Sequence, residues 1–234
     1  MSAVARRRLE ELVPGVSRET AGQLEALLEL LAKWQRAINL VGPTTLADAW
    51  NRHILDCAQL VPLVPSGAKS LVDLGSGAGF PGLVVAALRP NLDVTLIEAD
   101  ARKAAFLGEA ARRMGLKKQP KIVVARAELA PPAAADVVTA RALAPLSQLL
   151  AWADRHRSST AICLFHMGKG WQAELTEATK AWDIPHTPHA SITNSDSVIL
   201  CIGRYRARTG TAAGRADHRN RQPEGRRRQD HDSD

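Results

Sequence analysis

The hydrophobic positions of the chain follow two different periods in its two main parts. Residues 18–39 carry leucines, a tryptophan and an isoleucine at steps of three and four, which is the spacing of one face of an amphipathic helix. Ser17 precedes them as a plausible N-cap, because its hydroxyl can accept a hydrogen bond from a free backbone N–H. A second helix is predicted from about 46 to 60, before two prolines interrupt the pattern. The first 64 residues are therefore predicted to form a small N-terminal helical region, residues 1–64.

From residue 65 onward, short apolar runs alternate with segments rich in alanine and leucine. The predicted strands are 70–74, 93–98, 121–125, 136–140, 160–165 and 197–205, and the predicted helices are about 81–88, 101–114, 146–155 and 171–182. This alternation predicts an α/β domain, residues 65–206, with a mainly parallel sheet covered by helices on both faces. The last strand follows a polar loop at 185–197, which leaves room for an antiparallel partner at the end of the sheet.

The C-terminal segment, residues 207–234, has almost no large apolar side chain. It cannot offset its ordering entropy by burial, so the composition predicts a disordered basic tail. Nine arginines and five acidic residues follow position 203, leaving a net charge of only +3 from the preceding residues out of a total of +7. The charge is therefore weak support for a polyanionic partner of the folded part.

Composition also argues against several protein classes. The sequence has no apolar run of the roughly 18 residues that a membrane helix requires, and no apolar stretch follows the basic N-terminus as in a secretory signal. Its three cysteines are widely spaced among apolar neighbours, which favours neither a disulfide framework nor a zinc site and suggests a cytoplasmic protein. His186 and His189 have the spacing of metal ligands, but residues 184–195 around them contain no acidic residue or cysteine that could be a further ligand, so no metal site is expected.

A glycine-rich turn carries the first chemical signal. The predicted strand at 70–74 runs directly into Gly75, Gly77 and Gly79, and Pro81 stands where the next helix should begin. Glycines allow the backbone to turn sharply and a ligand to approach closely, while the helix N-terminus offers free N–H groups. Because alternating glycines cost stability that a plain turn would not require, the pattern predicts a ligand-binding loop.

The residues around this loop favour one nucleoside cofactor over another. Residues 77–82 fit the dinucleotide pattern G-x-G-x-x-G, but the glycine series begins earlier, at Gly75, and Asp73 stands at the strand end. A carboxylate there suits the ammonium group of S-adenosylmethionine and would repel the pyrophosphate of NAD. Glu98 ends the second strand, where an acidic side chain accepts hydrogen bonds from ribose hydroxyls in either cofactor. A nicotinamide-dependent oxidoreductase therefore remains the alternative.

Four sequence blocks together resemble one known family. They are Lys33-Trp-Gln-Arg-Ala-Ile-Asn-Leu40, Arg52-His-Ile-Leu-Asp56, the loop from Asp73 to Gly82, and Arg141-Ala-Leu-Ala. In this order and over roughly residues 20–205, they resemble the bacterial small-subunit ribosomal RNA methyltransferase G family, also called glucose-inhibited division protein B. The resemblance implies a class I, Rossmann-like methyltransferase that transfers a methyl group from S-adenosylmethionine to N7 of one guanine in 16S ribosomal RNA.

The resemblance also implies which residues hold the ligands. It implies cofactor contacts at Gly75, Phe80, Glu98, Ala127, Glu128 and Arg141, and the glycine loop itself adds Asp73 and Gly77 to the predicted cofactor-binding residues. The predicted RNA contacts are Arg52, His53, Arg141 and Lys169. The family usually has a Lys-Gly pair after the fifth strand, whereas this chain has Met167 at the lysine position and Lys169 two residues later. An RNA contact of that lysine would then be weakened here or moved to Lys169 or His166.

The predicted chemistry requires no acid or base. Guanine N7 has a free lone pair and carries no proton, so catalysis would rest on aligning the reacting atoms, and no catalytic residue is assigned. The expected partner is 16S ribosomal RNA within a 30S particle or an assembly intermediate, with the protein acting as a monomer away from membranes. A non-catalytic RNA-binding module of the same fold is a further alternative.

Overall fold

The computed structural model describes residues 2–209, which form an α/β fold around a seven-stranded sheet. The α-helices are α1 (Ala3–Leu12), α2 (Arg18–Trp34), α3 (Asp56–Ala58), α4 (Gly82–Leu88), α5 (Ala101–Met114), α6 (Leu146–His156) and α7 (Trp171–Ala178). The strands are β1 (Ser70–Leu74), β2 (Asp93–Glu98), β3 (Lys121–Val124), β4 (Ala135–Arg141), β5 (Arg157–Met167), β6 (Trp182–Asp183), β7 (His186–Ala190), β8 (Val198–Ile202) and β9 (Arg206–Ala207).

The strand order in the sheet is β3-β2-β1-β4-β5-β8-β7. The first five strands in this order are parallel, β8 is antiparallel to β5, and β7 is antiparallel to β8. The predicted fold class is confirmed, and the room left for an antiparallel partner at the end of the sheet is filled by β8. Because β1, β2, β3, β4 and β5 point the same way, the residues after their carboxyl ends lie along one edge of the sheet.

The helices of the N-terminal region pack onto the same core as the sheet. The leucines of α2 at positions 24, 27 and 31 are fully buried and belong to one apolar cluster with Leu83 of α4 and Phe106 of α5. The indole of Trp34 meets the Phe106 ring edge-on, with the ring centres 5.7 Å apart. The boundary predicted at 64/65 therefore marks a change in chain pattern and does not divide the hydrophobic core.

The predicted helices 18–39 and 46–60 differ from those in the structure. Helix α2 ends at Trp34, because the Gln35 side chain accepts hydrogen bonds from the backbone N–H groups of Leu40 and Val41 and donates to the Val41 carbonyl, which fixes a turn. The second region is broken into a 3₁₀ helix (Pro43–Asp48), a π-helical turn (Trp50–Leu55) and the short α3, followed by a 3₁₀ turn (Val61–Leu63). Single π turns are often found at functional sites.

Two further segments depart from the predicted pattern. Helix α1 was not predicted, and the loop predicted at 185–197 contains β7, which pairs along its whole length with β8. Strand β9 crosses the boundary predicted at 206/207, since Ala207 pairs with Trp182 and the backbone N–H of Arg208 donates to the Ala181 carbonyl. Backbone pairing and the packing of Ala207 against a buried apolar cluster order these residues. The rest of the predicted tail, residues 210–234, lies outside the described residues.

Candidate cofactor and substrate site

A cavity of about 870 Å³ opens at the carboxyl ends of the parallel strands. Most of the residues predicted to bind a ligand line it: Gly75, Gly77, Phe80, Glu98, Ala127, Glu128, Arg141, Arg52, His53 and Lys169. The volume lies within the usual range of small-molecule sites, roughly 300–1,000 Å³. The structure thus brings together residues from six separate parts of the sequence.

The glycine loop between β1 and α4 has the backbone shape that its sequence predicts. Gly75, Gly77 and Gly79 have φ angles of 63°, 53° and 83°, in the left-handed region that favours glycine. A Cβ on Gly75 would collide with the Leu143 side chain, whereas a Cβ on Gly77 would meet only the Gly75 carbonyl oxygen, at 3.8 Å. The backbone at Gly77 therefore faces open space in the cavity, where a ligand can approach it.

Glu98, at the end of β2, holds this loop in place. One carboxylate oxygen accepts a hydrogen bond from the Gly77 N–H at 2.7 Å, and the other accepts one from the Asp100 N–H at 2.8 Å. The residue is only 8% exposed. Each carboxylate oxygen has two lone pairs, so the side chain can brace the loop and still accept a hydrogen bond from a ligand.

Asp73 does not lie in the cavity, and its predicted role as a direct partner of a ligand ammonium group does not fit its position. It is fully buried and is absent from the cavity lining. Its carboxylate accepts hydrogen bonds from the Thr139 hydroxyl at 2.7 Å and from the Gly82 N–H, at the start of α4, at 3.2 Å. Burial raises the pKa of Asp73 to about 6. The sequence placed this residue correctly at the strand end, but β4 and the helix N-terminus enclose its side chain.

A second group of side chains lies on the β4 side of the glycine loop. The rings of Phe80 and His53 are stacked, with centres 4.8 Å apart, and the Arg141 guanidinium lies 5.1 Å from the centre of the Phe80 ring. The peptide bond from Phe80 to Pro81 is cis. Arg141 also donates to the Arg52 carbonyl oxygen, so two of the three predicted RNA-contact segments meet here.

His53 is held as a neutral imidazole. Its Nδ1 lies 3.2 Å from Arg141 Nη2, and its Nε2 lies 2.9 Å from the Thr45 hydroxyl oxygen. Because a guanidinium can only donate, Nδ1 is the acceptor and Nε2 carries the proton. Burial, and then the charge of Arg141, lower the pKa of His53 to about 4. Both ring nitrogens are therefore engaged, and the residue is not available as a base.

Asp56, at the start of α3, connects three parts of the fold and was not predicted as a site residue. Its carboxylate accepts hydrogen bonds from Arg141 Nη1 at 3.2 Å and from the Thr193 hydroxyl at 2.6 Å. Its carbonyl oxygen lies 2.9 Å from His166 Nε2. We call Asp56, Arg141, His53, His166 and Thr193 the Asp56 cluster. The sequence signal was present in the block Arg52-His-Ile-Leu-Asp56, but its partners are distant in sequence.

The far end of the cavity is formed after β3. Ala127 is buried, and its carbonyl oxygen lies 2.7 Å from His156 Nε2. Glu128 forms an ion pair of 2.7 Å with Arg126, and hydrogen bonds from its own backbone N–H and from Arg126 lower its pKa. Both predicted residues are thus beside Glu98 in strand order, on the opposite side of the glycine loop from Arg141.

The cavity rim carries positive charge. Arg52, Lys103, Arg126 and Lys169 all line it, and Arg52, Arg126 and Lys169 are exposed to solvent. Met167, at the position where the resemblance predicts lysine, also lines the cavity but is only 4% exposed. Lys169 is therefore the lysine of this segment that reaches the rim.

Solved structures with a similar fold include a SAM dependent methyltransferase from Aquifex aeolicus. It has a TM-score of 0.53 at 13% identity, and the match covers 74% of this chain and 96% of that one. A ribosomal protein L11 methylase from Lactobacillus delbrueckii subsp. bulgaricus also has a TM-score of 0.53, at 16% identity, with 65% and 78% of the two chains covered. At these identities the likeness shows the shared fold alone. Among residues 2–209, no helix is both long and apolar enough to cross a membrane.

Sequence comparison identifies the family. A ribosomal RNA small subunit methyltransferase G from Paramagnetospirillum magneticum is 50% identical over 194 residues, covering 82% of this chain and 93% of the relative. The protein of the same name from Rhodospirillum rubrum is 50% identical over 190 residues, covering 80% and 92%. The family model described as "rRNA small subunit methyltransferase G" matches residues 20–199. The chain therefore belongs to the rRNA small subunit methyltransferase G family.

Proposed function

We propose that this protein transfers a methyl group from S-adenosylmethionine to N7 of one guanine in 16S ribosomal RNA. The observation that carries the proposal is a single cavity that has an open glycine loop on one side and the Phe80–Arg141 pair on the other. Family membership supports the reaction class and the RNA substrate. It disfavours the nicotinamide-dependent alternative.

The residues on the β1, β2 and β3 side fit the cofactor. The space at Gly77 accepts a close ligand, Glu98 offers free lone pairs for ribose hydroxyls, and Ala127 and Glu128 lie where the adenine would end. S-adenosylmethionine supplies an activated methyl group on a sulfonium that departs without needing a proton. Asp73 supports this side indirectly, because its carboxylate fixes the Gly82 N–H beneath the loop.

The residues on the β4 and β5 side suit the target base. In strand order, β4 and β5 follow β1 on the side away from β2, so Arg141 and His166 lie beyond the glycine loop from Glu98. The resemblance predicts Arg141 at both the cofactor and the RNA; we assign it to the base, because its guanidinium lies on the β4 side and can donate to guanine O6 in its plane. Phe80 is only 4% exposed and is stacked on His53, so it stays a proposed cofactor contact that also supports the arginine. Because N7 carries no proton and His53 is fully engaged, the protein's contribution is to position the base.

The exposed cations of the rim suit the RNA backbone. Arg52, Arg126 and Lys169 surround the cavity entrance, where phosphates next to an inserted guanine would pass, and such contacts make binding depend on salt. We propose that the substrate is presented within a 30S particle or an assembly intermediate, and that the enzyme acts as a monomer in the cytoplasm.

A methylation assay tests the proposed function. Radiolabelled S-adenosylmethionine is incubated with the protein and either 30S subunits or naked 16S RNA, and the modified base is mapped by cleavage at N7-methylguanine. We expect labelling of a single guanine and greater transfer to the particle. Binding of the RNA without any transfer would instead identify a non-catalytic RNA-binding module, and transfer to another atom would refute the N7 assignment.

A further inference from the structure

We propose that Asp56 is a positioning residue for the RNA base and acts through Arg141. The inference rests on the proposed function and assigns a task to a carboxylate that is not itself required by the chemistry. Asp56 lies at the junction of the π-helical turn and α3. Its side chain is 17% exposed, and that of Arg141 is 19% exposed. Both charges are thus largely withdrawn from water, at the edge of a ligand cavity.

The contacts of Asp56 orient three separate walls of the cavity. One carboxylate oxygen holds the Arg141 guanidinium at the end of β4, and the other accepts hydrogen bonds from the Thr193 hydroxyl, in the β7–β8 loop, and from Gln59 Nε2 at 3.0 Å. The main-chain oxygen binds His166 at the end of β5. Arg141 and His166 are register partners in the sheet, so Asp56 bridges the ends of two adjacent strands.

Within residues 2–209, the alternatives that could orient these side chains are few. His166 Nδ1 is buried and has no hydrogen-bond partner there, so the bond to the Asp56 carbonyl is what fixes the ring. Arg141 has two other polar contacts, the Arg52 carbonyl and His53 Nδ1, and both are neutral acceptors. A hydrogen bond to a carboxylate is stronger than one to a neutral acceptor. Asp56 is therefore the dominant restraint on the guanidinium.

This restraint explains how a flexible arginine could select a planar base. A guanidinium held in one orientation presents its remaining N–H donors in one direction. A mobile guanidinium instead loses side-chain entropy when it binds, which weakens binding. The Asp56 cluster lies on the β4 and β5 side, away from Glu98 and Ala127. Loss of the Asp56 charge should therefore reduce use of the RNA substrate while leaving cofactor binding intact.

Asp56→Asn is the informative variant, because it keeps the side-chain size and one acceptor for Thr193 but removes the charge beside Arg141. We expect the kcat/KM for 30S subunits to fall at least tenfold, with the Kd for S-adenosylhomocysteine changed less than twofold. In an Arg141→Ala background, Asp56→Asn should cost less than a further threefold, because residues that act through one another are not additive. Asp93→Asn, which breaks an ion pair of 2.7 Å with Lys118 at the start of β2, is the control for loss of a carboxylate.

The possible outcomes separate this inference from the proposed function. Failure of the wild-type protein to methylate RNA would overturn both. Normal transfer by the wild type and by Asp56→Asn would overturn only the role of Asp56. A full, independent loss in the Arg141→Ala background, or a parallel loss of cofactor affinity, would show that Asp56 supports the fold in general and does not act through Arg141.

Discussion

Replacement of Glu98 by alanine tests the link between the glycine loop and cofactor binding. The substitution removes the acceptor of the Gly77 N–H and of the Asp100 N–H, at 2.7 and 2.8 Å. A hydrogen bond to a charged group contributes roughly 1.5–3 kcal/mol. Water entering from the cavity would replace part of the lost hydrogen bonding to Gly77 and Asp100. We therefore expect the free energy of unfolding without ligand to fall by about 2 kcal/mol. For a chain of this size, that corresponds to a Tm lowered by roughly 4–8 °C.

The same substitution should weaken cofactor binding for two reasons. The ribose loses its acceptor, worth roughly 1–3 kcal/mol, and Gly77 loses the bond that holds the loop open. Isothermal titration calorimetry with S-adenosylhomocysteine should therefore show a Kd raised about 5- to 150-fold. The methylation rate at saturating cofactor should fall less than threefold, because the ribose is remote from the transferred methyl group.

Two comparisons make the Glu98 prediction refutable. Glu98→Gln keeps one acceptor but directs an amide N–H₂ at a backbone donor, so it should fall between the wild type and Glu98→Ala. Glu11→Gln, on the exposed side of α1, should change neither Tm nor Kd. A normal Kd with a large fall in the saturated rate would refute the ribose role, and an unchanged Tm without ligand would refute the bracing of the loop.

Substitutions of Gly77, Arg141 and His53 probe other parts of the same cavity. Gly77→Val should fold, but its Tm should not rise with S-adenosylhomocysteine, because the valine side chain would occupy the open space beside residue 77, where φ is 53°. A rise in Tm as large as that of the wild type would contradict this prediction. Arg141→Ala should lose at least tenfold in methylation efficiency, which corresponds to about 1.4 kcal/mol of transition-state stabilisation. Arg141→Lys should recover little of this loss, because an ammonium cannot reproduce the planar guanidinium that contacts Asp56 and His53. Near-normal methyl transfer by either variant would show that the base binds elsewhere. The pKa of His53 is about 4 in the folded protein, so between pH 4 and 6.5 the unfolded chain binds more protons at this residue than the folded protein does. The free energy of unfolding therefore falls as the pH drops through this range, by roughly 2 kcal/mol at pH 5 relative to pH 7. Urea titrations at pH 7 and pH 5 should show that the free energy of unfolding of His53→Gln lacks this contribution. Comparing the variant with the wild type cancels the opposite contribution of Asp73, whose pKa is raised to about 6. An equal change in the free energy of unfolding between the two pH values in both proteins would refute the assignment.

Much of the sheet could be predicted because buried parallel strands appear as short, continuous apolar runs. The predicted bounds of β1, β2 and α5 agree with the structure, since Asp100 caps α5 at its start and Gly115 ends it with φ of 63°. The segment 46–60 was harder, because its apolar spacing fits an α-helix, while the π-helical turn depends on contacts with the rest of the fold. Strand β7 was missed because its sequence is polar, whereas in the structure it pairs along its whole length with β8.

The sequence predicted most of the residues that line the site but few of the contacts between them. Glycine φ angles follow from the local sequence, and the carboxyl-edge positions of Glu98 and Arg141 follow from the strand pattern. The burial of Asp73 could not be predicted from the local sequence, because it depends on Thr139 of β4, which is 66 residues away. The role of Asp56 was equally hidden, since its partners Arg141 and Thr193 follow it by 85 and 137 residues.

The long sequence separation across the cavity has a consequence for how the protein is made. The β7–β8 loop is tied back to the N-terminal region, where Arg8 of α1 donates to the Ile192 carbonyl across 184 residues and Thr193 donates to Asp56. Ribosomes add roughly 5–20 residues per second, so the glycine loop leaves the ribosome several seconds before the loop that completes the substrate wall. Contacts between such distant residues also form slowly. The residues that line the cofactor side are therefore all synthesised before Thr193, the residue through which the β7–β8 loop is tied to Asp56.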